Sequence, residues 1–301
     1  MRWLGGVLAL VGIVLLASMV WPGASRWEVA TEPLPLPEDF AGHYPLASLT
    51  RWRVHDPGSD RRLTLHIARY HHGDGQSHQA ILPTPGSPAW QQWQELGKTL
   101  QTLEPDAMIL AWWDDGQRID LLSGRECWVL QPPAQAFPPK ARDVWRLLSG
   151  GFGDRKGKLV RLSKWLTGSP DTSLKAITQA IPDRHLYLLV NSASLSRVDE
   201  IERLSGHPLP LELRIFPPTD DFHTQITAVR RWAQETGLGY LPRKVPAGIS
   251  AWRLTTSDEP LLLRLLPFTS HPPGPLPGLS QVFQSQDRQL QLFRLPSQNL
   301  D

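Results

Sequence analysis

The segment AWWDDG at 111–116 is the chain's strongest candidate for chemistry, because two indole rings are followed directly by two carboxylates. Its apolar first half predicts a short strand, and a helix is predicted to begin directly after Asp115. In open α/β sheets ligands bind beyond the carboxyl ends of the strands, and a helix start adds free backbone N–H groups. The segment therefore predicts a ligand-binding crevice, whose candidate residues are Trp112, Trp113, Asp114, Asp115, Gln117 and Arg118.

A purely structural interpretation of the same segment stays open. Either aspartate can cap the following helix through its side-chain oxygen, and the two tryptophans can pack in the core. Helix caps and core aromatic residues are far commoner than ligand sites. The solvent exposure of Trp112, Trp113 and Asp114 separates the two interpretations.

A histidine-rich segment, HIARYHHGDGQSH at 66–78, is the second candidate. Imidazoles together with the Asp74 carboxylate are ligands for zinc, copper or iron. Their spacing matches no defined metal motif, so a solvated hairpin tip is the alternative, and no cofactor is predicted. The weak metal candidates are His66, His71, His72 and His78.

Composition and missing motifs exclude several classes of function. The chain has 31 basic and 29 acidic residues, which argues against a nucleic-acid binder. It contains no G-x-S-x-G, P-loop or H-E-x-x-H motif, and no C-x-x-C-H for covalent haem. The single cysteine, Cys127, lies in the apolar run RECWVL and is predicted to be a buried structural residue. No catalytic residue is predicted.

The first residues predict a membrane anchor. Nineteen residues, 3–21, carry no charge, and a helix of that length approaches the hydrocarbon thickness of a bilayer. We therefore predict a transmembrane anchor, or an uncleaved signal, over 1–24. A cleaved signal is the alternative, because small residues follow at 24–25. Arg2 before the span favours a cytoplasmic amino terminus. In a bacterium, the predicted location is the inner membrane, with the soluble domain in the periplasm.

The rest of the chain predicts an α/β architecture. Residues 25–45 contain PLPLP and predict a Pro-rich tether, while 46–88 alternate about DPGSD as in a β-hairpin region. Over 89–301, helical patterns such as AWQQWQELGKTLQTLE alternate with apolar strands such as HLYLLVN. This alternation predicts a mixed-sheet α/β sandwich with helices on both faces.

Several of these blocks together resemble the hydroxylamine oxidation protein HaoB family. They are ILAWWDDGQRIDLLSGRE, HLYLLVN, FHTQITAVRRWAQETG and LLLRLLPF, in the family's order. The resemblance implies a non-catalytic accessory protein of nitrification that docks, matures or scaffolds the electron route of hydroxylamine oxidoreductase. The implied partners are the membrane and this multihaem oxidoreductase or its cytochromes. The family supplies no catalytic residue to carry over.

A weaker, local resemblance gives an alternative function. WWDDG is similar to the WWDYG motif of oligosaccharyltransferase catalytic subunits, with Asp115 in place of tyrosine. In those enzymes the motif recognises the acceptor peptide within an exported globular domain. The resemblance implies a peptide- or glycan-binding domain, in which Trp112, Trp113 and Asp114 recognise the ligand. A metal-assisted redox factor that uses residues 66–78 is the other alternative.

Overall fold

The computed structural model describes residues 27–56, 61–73, 75–154, 156–245, 247–270 and 276–296. None of the helices within these ranges has the length and apolar character needed to cross a membrane. The anchor predicted over 1–24 lies outside the described residues.

An antiparallel four-stranded sheet forms the amino-terminal part of the described chain. Its strands, in spatial order, are β1 (Glu28–Leu34), β2 (Leu46–Asp56), β3 (Arg61–His71) and β4 (Ser77–Leu82). The predicted hairpin is confirmed, since β2 and β3 pair antiparallel. The tether predicted over 25–45 is wrong at 28–34, because β1 pairs along its length with β2. Within 25–45 the first proline is Pro33, so the residues of β1 before it can donate their backbone N–H groups to a β-ladder.

A mixed five-stranded sheet is the centre of the α/β part. It contains β5 (Met108–Leu110), β6 (Glu126–Cys127), β7 (Leu186–Asn191), β11 (Ser280–Gln284) and β12 (Leu290–Arg294), in the order β11-β12-β7-β5-β6. β5 runs parallel to β6 and β7, whereas β12 is antiparallel to β7 and β11. The predicted mixed sheet is confirmed.

Helices cover both faces of this sheet. The α-helices of the described ranges are α1 (Pro88–Gln101), α2 (Trp113–Ser123), α3 (Arg142–Leu148), α4 (Lys158–Thr167), α5 (Pro170–Ala180), α6 (Val198–Ser205), α7 (Phe222–Gln234) and α8 (Leu261–Leu265). Of these, α7 packs against a different sheet. Alternate residues of β7 face different cores: Leu188 joins the cluster that contains α4 and α6, and Leu189 joins the one that contains α1. A strand buried on both faces reads as a continuous apolar run, as LYLLV does.

A separate three-stranded sheet packs against α7. Its order is β8 (Leu211–Phe216), β10 (Gly248–Leu254), β9 (Tyr240–Val245), and both pairings are antiparallel. Phe216, Trp232 and Ile249 form its core against the helix. Strand β9 has no clear sequence signal, since Pro242 and two basic residues interrupt its apolar pattern.

Two predicted strands are shorter than expected. β5 ends at Leu110 and α2 already begins at Trp113, so Asp114 and Asp115 lie in the first turn of α2 instead of before it. Carboxylates in a first turn interact favourably with the helix dipole, which explains the early start. The apolar run RECWVL, whose pattern favours a strand, forms one only at Glu126–Cys127.

Candidate functional site

Helix α2 carries all six predicted ligand residues except Trp112, which immediately precedes it at the N-cap. Gly116 lets this helix approach the chain segment after β6: a Cβ at that position would lie 2.2 Å from the carbonyl oxygen of Val129. Gly124 ends the helix in the left-handed conformation, at φ +64°, which glycine adopts without steric cost. The glycine of WWDDG is therefore explained by close packing.

The two tryptophans are buried and their polar atoms are engaged inside the protein. Trp112 is 3% exposed and Trp113 is fully buried. Both indole N–H groups donate to the same carboxylate oxygen, Oε2 of Glu200, at 3.3 Å. This geometry favours the packing interpretation. The ligand-recognition role stays a prediction.

Two arginines neutralise the aspartates. Asp114 Oδ2 lies 3.2 Å from a guanidinium nitrogen of Arg118 and 3.2 Å from one of Arg197. Arg197 also contacts Glu200 at 3.0 Å, and Arg118 contacts Asp115. No side chain caps α2, so the predicted capping role of Asp114 or Asp115 is wrong. Their oxygens are held by the arginines instead.

The charges of this buried network do not balance. It holds three carboxylates, of Asp114, Asp115 and Glu200, and two guanidiniums. Burial and the neighbouring Asp114 raise the pKa of Asp115 to about 7. Burial would also raise the pKa of Asp114, but Arg197 and then Arg118 outweigh it and lower that pKa. Asp115 therefore retains its proton to a higher pH than an ordinary aspartate, and burial raises the pKa of Glu200 as well.

Aromatic rings and amides complete the network. The Arg197 guanidinium lies over Trp113 and Trp145, 5.4 and 4.9 Å from the ring centroids. Asn191, at the end of β7, donates to Asp115 at 3.1 Å. We define the buried ion network as Trp112, Trp113, Asp114, Asp115, Arg118, Asn191, Arg197 and Glu200.

Gln117 lies on another face of α2. Its amide nitrogen donates to the carbonyls of Leu130, at 2.9 Å, and Ser149, at 2.8 Å. Its side-chain oxygen is buried without a hydrogen-bond partner. Gln117 thus ties α2 to the segments that line a neighbouring cavity.

That cavity has a volume of about 660 Å³ and lies between the four-stranded sheet, α2 and α4. Its lining includes Tyr70, His78, Gln117, Cys127, Asp154 and Lys158. The Cys127 thiol is free and buried, and burial raises its pKa, so it stays protonated. The prediction of a buried structural cysteine is confirmed.

The structure brings two of the four predicted metal candidates together. His72 and His78 stack with ring centroids 3.8 Å apart, and His72 Nε2 lies 2.8 Å from Asp120 Oδ2. His71 is exposed, while His66 is buried with Nε2 unpartnered, and burial lowers its pKa. Neither belongs to the group of possible metal ligands that His72 and His78 form with Asp120.

Asp120 is the residue that sequence reasoning missed as a histidine partner. It lies on α2, 48 residues after His72, and its Oδ2 also accepts a hydrogen bond from the Tyr70 hydroxyl at 2.7 Å. The helical pattern of the segment around Asp120 indicates only that this residue is near the other polar residues of α2. Nothing in the sequence indicates that α2 packs on β4.

Comparisons with known proteins show a family and a weak likeness to a solved structure. The C-terminal domain of PglB from C. jejuni, a crystal structure, is 13% identical, with a TM-score of 0.38, and the match covers 67% of this chain and 98% of that domain. A likeness this weak carries no argument about function. No curated protein matches the chain.

The family match is extensive. The family model described as HaoA-associated protein HaoB matches residues 1–288 of the 301. The resemblance identified from the ordered sequence blocks is therefore confirmed, and the chain belongs to the HaoB family.

Proposed function

We propose that this protein is a non-catalytic accessory protein that docks onto hydroxylamine oxidoreductase at the periplasmic side of the inner membrane. The family match over residues 1–288 carries the proposal, because the family description names association with HaoA, the hydroxylamine oxidoreductase. The uncharged segment 3–21 lies inside the matched range and supports membrane attachment.

The buried ion network supports a non-catalytic role. A residue that acts on a substrate must present an accessible polar group. Trp112, Trp113 and Asp114 are each at most 8% exposed. Their polar atoms are hydrogen-bonded to Glu200, Arg118 and Arg197. This arrangement stabilises the link between α2 and α6. It offers no polar group to solvent at the WWDDG segment.

For docking we propose the edge strand β8. Leu213 and Ile215 are 53% and 54% exposed, among the most exposed large apolar residues of the described chain. Among the strands of the described residues β8 pairs only with β10, and we propose that its other backbone edge pairs with a partner. Exposed apolar residues on an unpaired edge are typical of interaction surfaces.

The register of the sheet defines which face is exposed. Phe216 belongs to the core against α7, so Leu213 and Ile215, an odd number of residues away, lie on the opposite face. Leu213 is directly opposite Trp252 of β10. We name Leu213 and Ile215 the β8 face, and its proposed occupant is the oxidoreductase.

Affinity purification from membranes tests the docking. The tagged full-length chain, extracted in mild detergent, is expected to recover a multihaem protein, detected by its Soret absorbance and identified by mass spectrometry. Leu213→Asp combined with Ile215→Asp should reduce the recovered haem at least about tenfold, because charges on an apolar interface are left desolvated. The unfolding temperature of this variant should remain that of the wild type.

Leu147→Asp is the matched control. Leu147 is 57% exposed on α3, away from β8, and should leave the recovered haem unchanged. Recovery of no oxidoreductase by the wild type would refute docking itself. Equal loss in both variants would refute only the assignment to β8.

Membrane attachment has a separate test. Val11→Arg and Val14→Arg each raise the free energy of membrane insertion by about 2.5–3.5 kcal/mol at the centre of a spanning helix. The double variant should therefore leave the membrane fraction. Val11→Leu with Val14→Leu is the control and should stay with the membrane. If the arginine variant also stays, the predicted anchor is wrong, while docking is untouched.

A further inference from the structure

We propose that His72, His78 and Asp120 bind one divalent transition-metal ion of the zinc and copper class at the edge of the 660 Å³ cavity. This site is independent of the docking proposal.

Three different elements supply the three donors. His72 follows the end of β3, His78 lies in β4, and Asp120 lies near the end of α2. One ligand atom from each lies within 4.8 Å of the other two. Around zinc, donors at about 2.0–2.2 Å stand roughly 3.3 Å from one another, so small side-chain rotations are enough to close the site.

The chemistry of the donors selects the ion. Two imidazoles and one carboxylate suit zinc and copper, whereas magnesium and calcium prefer oxygen donors alone. Three protein ligands also leave one position of a tetrahedral ion open. His78 and Tyr70 line the 660 Å³ cavity, so one of the three donors lies at the cavity wall.

Neighbouring rings hold the donors in place. The Tyr70 hydroxyl donates to Asp120 at 2.7 Å, a type of outer contact that orients a ligating carboxylate. Tyr44 stacks on His72 with centroids 4.5 Å apart and an angle of 17° between the planes. The donors are therefore positioned by packing before an ion arrives.

The charge around Asp120 differs from that around the other aspartates of α2. Asp120 is 7% exposed, and among the ion pairs of the described residues it meets only His72. Asp114 and Asp115 each meet arginine. A buried carboxylate without a fixed cation is the partner that a metal ion needs.

Metal titration of the full-length, tag-free protein in detergent tests the site. After treatment with a chelator and dialysis, zinc is added and binding is followed by calorimetry and elemental analysis, with magnesium as the negative control. We expect one zinc ion per chain. Copper should bind at the same stoichiometry and show nitrogen hyperfine structure from two imidazoles in its paramagnetic resonance spectrum.

Single substitutions locate the ion. His72→Ala, His78→Ala and Asp120→Asn should each weaken binding by more than the roughly 10–100-fold that loss of an outer partner causes. His71→Ala, adjacent in the chain but exposed, should leave affinity unchanged. Circular dichroism of each variant checks that it is folded, and His72→Gln replaces His72→Ala if the latter is not.

Two results would overturn the proposal. One is a folded wild-type protein that binds no zinc or copper at roughly millimolar concentration, which would leave His72 and Asp120 as a simple hydrogen-bonded pair. The other is a stoichiometric ion that survives loss of His72 and His78, or that His71→Ala removes equally well.

Discussion

The two halves of helix α2 present the same residue type in opposite situations. In its first turn, Asp114 and Asp115 are held by Arg118 and Arg197, whose charge does not change with pH. Near its end, Asp120 is held by a tyrosine hydroxyl and an imidazole. The arginines keep their charge and hold the first two aspartates in a structural network. Asp120 has no arginine partner among the described residues and lies beside a cavity, so it is a candidate ligand.

Substitution of Arg197 should cause the largest loss of stability, because Arg197 belongs to the buried ion network at the start of α2. Arg197→Ala leaves Asp114 and Glu200 buried without their shared cation, and removing one partner of a buried pair costs about 3–5 kcal/mol. Urea unfolding of the full chain measures this decrease in the free energy of unfolding. Arg230→Ala, at an exposed position of α7, is the control and should cost no more than about 1 kcal/mol. Equal effects would contradict the network.

Trp113→Ala separates packing from ligand recognition. Trp113 is fully buried, so its truncation should lower the free energy of unfolding by about 3–5 kcal/mol. Trp113→Phe should cost clearly less, since it keeps a ring beside Arg197. A Trp113→Ala variant of unchanged stability, with altered binding of a peptide or glycan, would restore the recognition hypothesis.

Asp115 predicts an unusual dependence of stability on pH. Its native pKa of about 7 exceeds the ordinary 3.8, so between these values the native state holds a proton that the unfolded state has lost. The contribution of Asp115 is therefore complete below about pH 4 and disappears as pH rises through 7. Asp115→Asn should flatten this part of the profile of unfolding free energy against pH. Identical profiles for variant and wild type would refute the assignment.

The smallest expected effect is that of Tyr70→Phe. It removes one hydrogen bond to Asp120 and should lower the free energy of unfolding by about 0.5–1.5 kcal/mol. Because the hydroxyl orients Asp120, zinc affinity should fall by roughly 10–100-fold. A stability loss without any change in zinc affinity would show that the Tyr70 hydroxyl does not orient Asp120 as a ligand.

Local patterns predicted much of the fold. The apolar run of β7, the helical spacing of α1 and the alternation of β2 and β3 all correspond to elements of the structure. Strand β1 was missed because the Pro-rich run 33–37 begins at its end and dominates the composition of the segment 25–45, although Glu32 pairs with Arg51 and Arg53 across β2. Pairing partners determine such a strand, and a single sequence does not contain them.

The candidate sites show the same limit. The WWDDG segment lies in the buried ion network, but two partners that define its chemistry, Arg197 and Glu200, lie more than 80 residues away. Likewise, His72 and His78 were predicted together, yet Asp120 joins them only because α2 packs on β4. Residue type indicated the chemistry, and tertiary packing decided which atoms meet.

One paired measurement tests the contrast within α2 most directly. Asp115→Asn and Asp120→Asn make the same chemical change five residues apart on one helix, and thermal unfolding of each is recorded at pH 7 with and without zinc. We predict that zinc raises the unfolding temperature of the wild type and of Asp115→Asn, but not that of Asp120→Asn. Zinc stabilisation that Asp115→Asn abolishes and Asp120→Asn retains would contradict the account.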